Sequence, residues 1–169
     1  MPQPPRLSWH ILGFLALGAL VADQISKYAV EKFTPSGSVR AVIPGLLNLV
    51  HTTNSGVAFG LFANSERPWV PAVLITFSLI VITILVWLLA TGQAGGKLGQ
   101  CGLELILGGA AGNILDRVLR HSVTDFIDFY IGSHHWYTFN VADSAIVAGA
   151  GLVLLELLRD WEHPSRERA

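Results

Sequence analysis

The sequence predicts a mainly α membrane protein, with four transmembrane helices and a small β-structure between the first and the second. Three observations carry this. Only 14% of the 169 residues are charged and 51% are hydrophobic, whereas an ordinary soluble domain carries ~25% charged residues. The mean hydropathy is +0.51. Four apolar runs each approach the ~20 residues that a helix needs to cross the hydrocarbon core.

The first span covers about residues 10–30, apolar over 11–22 and polar on one face beyond. That polar face stays in helical register, which favours a retained helix over a cleaved signal peptide. The second span, about 70–90, holds no charged residue. The third, about 98–119, is rich in glycine and ends in polar residues, and the fourth covers about 138–159. The Gly-rich connection 91–97 is short, so the second and third helices are antiparallel neighbours. The connection 33–68 is long and broken by Pro35, Gly37, Pro44, Gly45, Gly56 and Gly60. Between those breakers lie the β-prone stretches 38–43, 46–53 and 57–62, the basis for a small sheet. The segment 121–137 carries Phe126, Phe129, Tyr130, Trp136 and Tyr137, residues that favour a membrane–water interface. We therefore read 1–169 as a single integral membrane domain with a β-rich insert at 33–68.

Four spans put both termini on one side and the two longer connections on the other. Positive charge does not decide which side is cytoplasmic. Arg6, Lys97, Arg159, Arg166 and Arg168 lie on one side, and Lys27, Lys32, Arg40, Arg67, Arg117 and Arg120 at or near the other. A net charge of −1 gives no basic footprint for nucleic acid. The single cysteine, Cys101, excludes an internal disulfide and a multi-cysteine metal site.

Two aspartates sit beside otherwise apolar stretches. Asp125 lies in Val123-Thr124-Asp125-Phe126-Ile127, and Asp143 in Phe139-Asn140-Val141-Ala142-Asp143-Ser144, at the head of the fourth run. An acid near hydrocarbon depth costs ~2.5–3.5 kcal/mol on insertion scales. Two converging carboxylates are the minimal apparatus for acid–base hydrolysis. Read singly, Asp125 also fits a solvated loop acid, and Asp143 a first-turn residue favoured by the helix dipole. Asp128 competes with Asp125, three residues away in similar surroundings. Asp23 and Lys27 share one helical face with Ser26 between them, either as a mutual pair or as the lining of a polar site. Asn54 fits a turn asparagine or an amide that bonds a substrate backbone. Gly108 and Gly112 form a small-xxx-small pair for close helix packing. Asn113 and Arg117, four apart, present polar heads on one face next to Asp116. Arg117 either snorkels to the surface or holds a carbonyl or developing charge. His134-His135 is a weak metal candidate, since adjacent histidines point to different faces of a regular element. Glu104 is an intramembrane acid without an evident role.

Five motifs occur in order: Asp23-Gln24-Ile25-Ser26-Lys27; Asn54-Ser55-Gly56-Val57-Ala58-Phe59; Gly108-Gly109-Ala110-Ala111-Gly112-Asn113 with Asp116-Arg117; Val123-Thr124-Asp125-Phe126; and Phe139-Asn140-Val141-Ala142-Asp143. In these the chain resembles, over about residues 10–160, the lipoprotein signal peptidases (signal peptidase II), bacterial inner-membrane aspartyl peptidases. The resemblance implies cytoplasmic termini and a small extracytoplasmic, periplasmic β-cradle formed by 33–68. It implies that Asp125 and Asp143 are the catalytic dyad near the periplasmic face. Asp23, Lys27, Asn54, Gly109, Asn113, Asp116, Arg117 and Asn140 then bind substrate or support the site, and no metal or cofactor is required. The implied substrate is a prolipoprotein whose cysteine already carries a diacylglyceryl group, cut just before that cysteine to release the signal peptide. Membrane lipids surround the site, and globomycin-like cyclic peptides inhibit the family.

Two nearby carboxylates cannot easily both ionise, so they share a proton and titrate as a pair. The charged member activates water and the protonated member assists collapse to the amine. Asp143, at a helix start, is the better candidate for the ionised partner. Two other classes stand beside this reading. A small transporter would use Asp125, Asp143 and Lys27 as an ion relay, but the chain has no internal repeat and few spans. A non-enzymatic assembly factor would tolerate neutralisation of both aspartates.

Overall fold

The computed structural model describes residues 7–56 and 69–162. The first helix, α1 (Trp9–Phe33), starts where the Ser8 hydroxyl accepts the Ile11 N–H at 3.4 Å and ends at Thr34 in extended backbone. It is followed by β1 (Val39–Ile43) and β2 (Leu47–Asn54), then by α2 (Trp69–Thr91) and α3 (Lys97–Arg120). Next come β3 (Val123–Ile131) and β4 (His134–His135), and α4 (Val141–Glu162) closes the described chain. All four helices are long and apolar enough to cross a membrane. α2, uncharged throughout, exposes large apolar side chains such as Phe77, Ile84 and Trp87.

The helix bundle is built on the glycines of α3. A side chain at Gly108 would run into the Ala16 carbonyl of α1, and one at Gly112 would meet the Asp23 carboxylate at 2.5 Å. On the next face, Gly102 lies against the Gly149 carbonyl of α4, and Gly109 against that of Ala142. Backbones thus approach on both sides of α3, the use to which small residues are put where lipid supplies no hydrophobic drive. Contacts ascend in step from Gln100 beside Leu7, through Gly112 beside Asp23, to Arg120 beside Glu31, so α1 and α3 run parallel. α4 runs antiparallel to α3, and its Glu156 carboxylate accepts the Leu98 and Gly99 N–H groups at 3.0 and 3.2 Å. That carboxylate satisfies donors that the α3 N-terminus would otherwise leave bare. Because Gly109 sets the height of the first turn of α4, Gly109→Ala is expected to cost ~1–3 kcal/mol by overpacking. Chemical unfolding in detergent checks this. Unchanged stability would mean that the helices simply part.

The sheet is antiparallel with the order β1-β2-β3-β4. It is larger than the insert alone predicts, because 121–137 contributes two of its strands. Stretches 38–43 and 46–53 form strands as expected, whereas 57–62 lies outside the described residues. One irregularity matters for the site. β2 pairs with β3 through Leu49↔Ile127 and then Thr52↔Asp125, so β2 carries one extra residue between these pairs. A one-residue slip exchanges the faces of a strand. Beyond the bulge Asn54 pairs with Val123, which brings Asn54 onto the face of Asp125 as its diagonal neighbour.

Candidate functional site

Where α4 begins, Asn140 and Asp143 cap each other. The Asn140 Oδ1 accepts the Asp143 N–H at 2.9 Å, and the Asp143 Oδ2 accepts the Asn140 N–H at 3.2 Å. This is a reciprocal capping box with asparagine at the cap and aspartate three residues on. The side-chain amide of Asn140 is left to donate elsewhere. It reaches Asp125 Oδ1 at 2.7 Å, while Asn54 Nδ2 donates to Asp125 Oδ2 at 3.1 Å. A strand-borne and a helix-borne carboxylate are therefore held by one residue, which is itself fully buried.

Asp143 has a second donor, Asn113 Nδ2, at 2.9 Å. The orientation of that amide is dictated from behind. Lys27 Nζ donates to Asn113 Oδ1 at 3.0 Å, and an ammonium has no acceptor, so the amide nitrogen must face Asp143. Lys27 is fully buried between Asp23 Oδ2 at 2.7 Å and Asp116 Oδ2 at 2.6 Å. Asp23 Oδ1 accepts the Ala142 N–H at 2.9 Å and so tethers the start of α4 to α1. Gln24 Nε2 joins Asp116 Oδ1, at 3.1 Å, to the Gly112 carbonyl at 3.3 Å. Arg117 donates to the Gly56 carbonyl at 3.0 Å, holding the end of the insert's described part against α3.

Asp125, Asp143, Asn54, Asn113 and Arg117 line one cavity of about 710 Å³, whose apolar wall includes Ile146 and Val147 of α4. Val147 is itself 72% exposed, so the cavity presents an open apolar wall from α4. Burial first, and the neighbouring Asp143 second, push the Asp125 carboxyl up from 3.8 to about 6, against the pull of Asn54 and Asn140. Two carboxylates in one such cavity, one held near the middle of the pH scale, can divide the roles of base and acid.

The chain as a whole is similar to known proteins. A family model described as Signal peptidase (SPase) II matches residues 15–159. The chain belongs to the signal peptidase II family. This is a family of aspartic endopeptidases. The chain is 41% identical over 165 residues to the lipoprotein signal peptidase of Solibacter usitatus (strain Ellin6076), covering 98% of each. It is 38% identical over 152 residues to that of Maridesulfovibrio salexigens, covering 90% of this chain and 97% of the relative. A bacterial membrane enzyme solved by the in meso method superposes with a TM-score of 0.83 at 27% identity, over 98% of this chain and 97% of that one. The protein is accordingly a multi-pass protein of the bacterial membrane.

Within this signal peptidase II fold, the polar residues singled out from the sequence come together, and some change meaning. Asp23 and Lys27 are both a mutual pair and part of a larger buried cluster. Gly109 gives the room for close packing of α3 against Ala142 and Ile146 at the head of α4. Asp128 does not line the cavity. Three residues from Asp125 along a strand, it faces the opposite side and binds Asn48 at 2.8 Å and His135 at 2.9 Å. Burial would raise its carboxyl, but the hydrogen bonds from Asn48 and His135 outweigh it and hold the acid below the ordinary range. His135 also stacks on Tyr130. Ser26 turns back to the Asp23 carbonyl at 2.8 Å and stays out of the site. Glu104 is buried on α3 without a role in the cluster. Sequence reasoning gave no role to Gln24 and Thr124, although they lie inside the first and fourth motifs, nor to Glu31 and Arg120 around the same buried charges.

Proposed function

We propose that Asp125 and Asp143 are the catalytic dyad, and that the chain removes the signal peptide from prolipoproteins just before a diacylglyceryl-modified cysteine. The observation that carries this is Asn140, which holds both carboxylates in the wall of one cavity that is also lined by Ile146 and Val147 of α4. Asp143 begins a helix and accepts two N–H donors, which suits the ionised partner. Asp125 carries the proton. The Asp143 carboxylate takes a proton from water as the water oxygen bonds to the scissile carbonyl carbon, and Asp125 gives its proton to the carbonyl oxygen. On collapse the carbon–nitrogen bond breaks, the amine takes the proton from Asp143, and the diol proton returns to Asp125. The diacylglyceryl chains stay in the bilayer along Ile146 and Val147 while the peptide bond reaches the dyad. We read the whole chain as one membrane unit with cytoplasmic termini, the insert 33–68 and the dyad lying towards the periplasm. Membrane lipids and globomycin-like cyclic peptides fit the same apolar opening.

The test is cleavage of a prolipoprotein with and without its diacylglyceryl group by the purified chain in detergent. Cleavage of the modified substrate alone is expected. Equal cleavage of both would remove the lipid from recognition, and cleavage of neither would overturn the assignment. Asn54 positions substrate backbone and also donates to Asp125. Asn54→Ala is therefore expected to lower kcat/KM by about tenfold or more. It should also move the Asp125 limb of the pH profile upward, because one of the hydrogen bonds that lower that carboxyl is lost. Full activity would remove the end of β2 from the site.

A further inference from the structure

The two aspartates of the proposed dyad ride on different elements, Asp143 on a helix and Asp125 on a strand. Asp143 is tied into the helix bundle through Asn113 and Lys27. The strand of Asp125 has its own tie. Thr124, immediately before Asp125 and buried on the opposite face of β3, donates its hydroxyl to Glu31 Oε1 of α1 at 2.7 Å. Arg120, the last residue of α3, bridges that same Glu31 oxygen at 3.4 Å and Asp116 Oδ1 at 2.6 Å. Asp116 in turn holds Lys27. The buried cluster that orients the Asp143 side thus continues without a break to the residue preceding Asp125.

We infer that Glu31, Arg120 and Thr124 are positioning residues, a strut that fixes the strand-borne Asp125 relative to the helix-borne Asp143. None of the three lines the cavity, and none touches either aspartate side chain. Their effect is geometric. Among the described residues, the Thr124–Glu31 hydrogen bond is the polar link between α1 and β3. Without it, β3 keeps its bonds to Phe139 and Asn140 at the head of α4 but loses its polar tie to α1, so its position over the bundle is less sharply fixed. Loss of near-attack geometry falls on the chemical step and not on ground-state binding, and a misplacement of ~1 Å can cost about a hundredfold.

The inference rests on the proposed cleavage reaction, so wild-type turnover of the diacylglyceryl prolipoprotein is the reference. If the wild type does not cleave, that reading fails. If it cleaves, the strut is tested by Thr124→Val, which keeps the shape and removes the hydroxyl, by Thr124→Ser, which restores the hydroxyl, and by Glu31→Gln. Rates are taken per folded molecule, with the folded fraction from size exclusion and thermal melting. Thr124→Val is expected to lower kcat about tenfold with KM within twofold, Thr124→Ser to recover most of it, and Glu31→Gln to lose several-fold through weaker pairing with Arg120. Should Thr124→Val not fold, Thr124→Ser against Glu31→Gln carries the same comparison. Unchanged kcat in Thr124→Val and Glu31→Gln, or a loss that only follows the folded fraction, would overturn the inference.

Discussion

Replacing Asp125 or Asp143 by asparagine is expected to lower prolipoprotein cleavage by roughly 10²–10⁴-fold, the usual worth of a positioned acid or base. The amide keeps the shape and one of the two accepted N–H bonds at each position, so each variant should remain folded and inserted. Asp125→Asn should also do something that Asp143→Asn need not. The Asp125 carboxyl rises from 3.8 to about 6 on folding, chiefly through burial. The folded state therefore holds that proton more tightly than the unfolded chain. Its stabilising contribution is complete below about 3.8 and is lost as the pH climbs through about 6. At neutral pH this leaves the native state carrying a cost of ~3 kcal/mol, as an order of magnitude, for an ionised buried acid. Asp125→Asn should accordingly unfold at higher denaturant than the wild type at pH 7.5 and lose that advantage at pH 4. Asp128→Asn, on the other face of β3, should keep most activity. An inactive Asp128→Asn beside an active Asp125→Asn would mean that the wrong acid has been chosen.

The second large effect concerns Lys27. It lies fully buried between two carboxylates that are themselves fully buried. Removing one partner from a buried ionic set leaves charge without compensation, which costs ~3–5 kcal/mol, whereas replacing the whole set by neutral residues is often nearly neutral. Lys27→Met should therefore destabilise the protein by about that amount in detergent. Asp23→Asn/Lys27→Met/Asp116→Asn should recover much of it, less the tethers from Asp23 to Ala142 and from Asp116 to Arg120. A Lys27→Met protein within ~1 kcal/mol of wild type, or a triple variant no better than the single one, would show that the ammonium is not the keystone of the cluster.

The spans were legible because ~20 apolar residues in a row have few other uses. Helix α2, expected over 70–90, is found at Trp69–Thr91. The fourth helix was read as starting at 138 but starts at Val141. Thr138 and Phe139 looked like helix by apolarity, yet the Phe139 carbonyl accepts N–H groups from Phe126 and Ile127, and Asn140 then caps. Strand β3 was not read from the sequence, although Val123 to Ile131 is rich in β-branched and aromatic residues. Its aromatics pointed to an interfacial connection instead, and a strand buried on both faces shows no simple alternation. Spacing brought Asp23, Lys27, Asn113 and Arg117 onto usable helical faces. It could not reveal that a bulge in β2 would bring Asn54 over Asp125, because register is decided by pairing with a strand about 70 residues away. The role of Glu31, Arg120 and Thr124 was hidden for the opposite reason. Each is an ordinary surface-type residue until the fold brings them together.

The mutual cap at the head of α4 also bears on how such an enzyme could be disabled. Ends of helices are where helical order is lost first, since their terminal groups lack intrahelical partners. Here the terminal turn is made of the same atoms as the proposed catalytic centre, because Asn140 both starts the helix and grips Asp125. Unwinding a single turn would carry the two acids apart while leaving the remaining transmembrane architecture in place. A drug against this protein would then have no need to imitate a substrate or to reach the carboxylates. A wedge that rewards an unwound α4 tip would switch the chemistry off from the side, through the membrane.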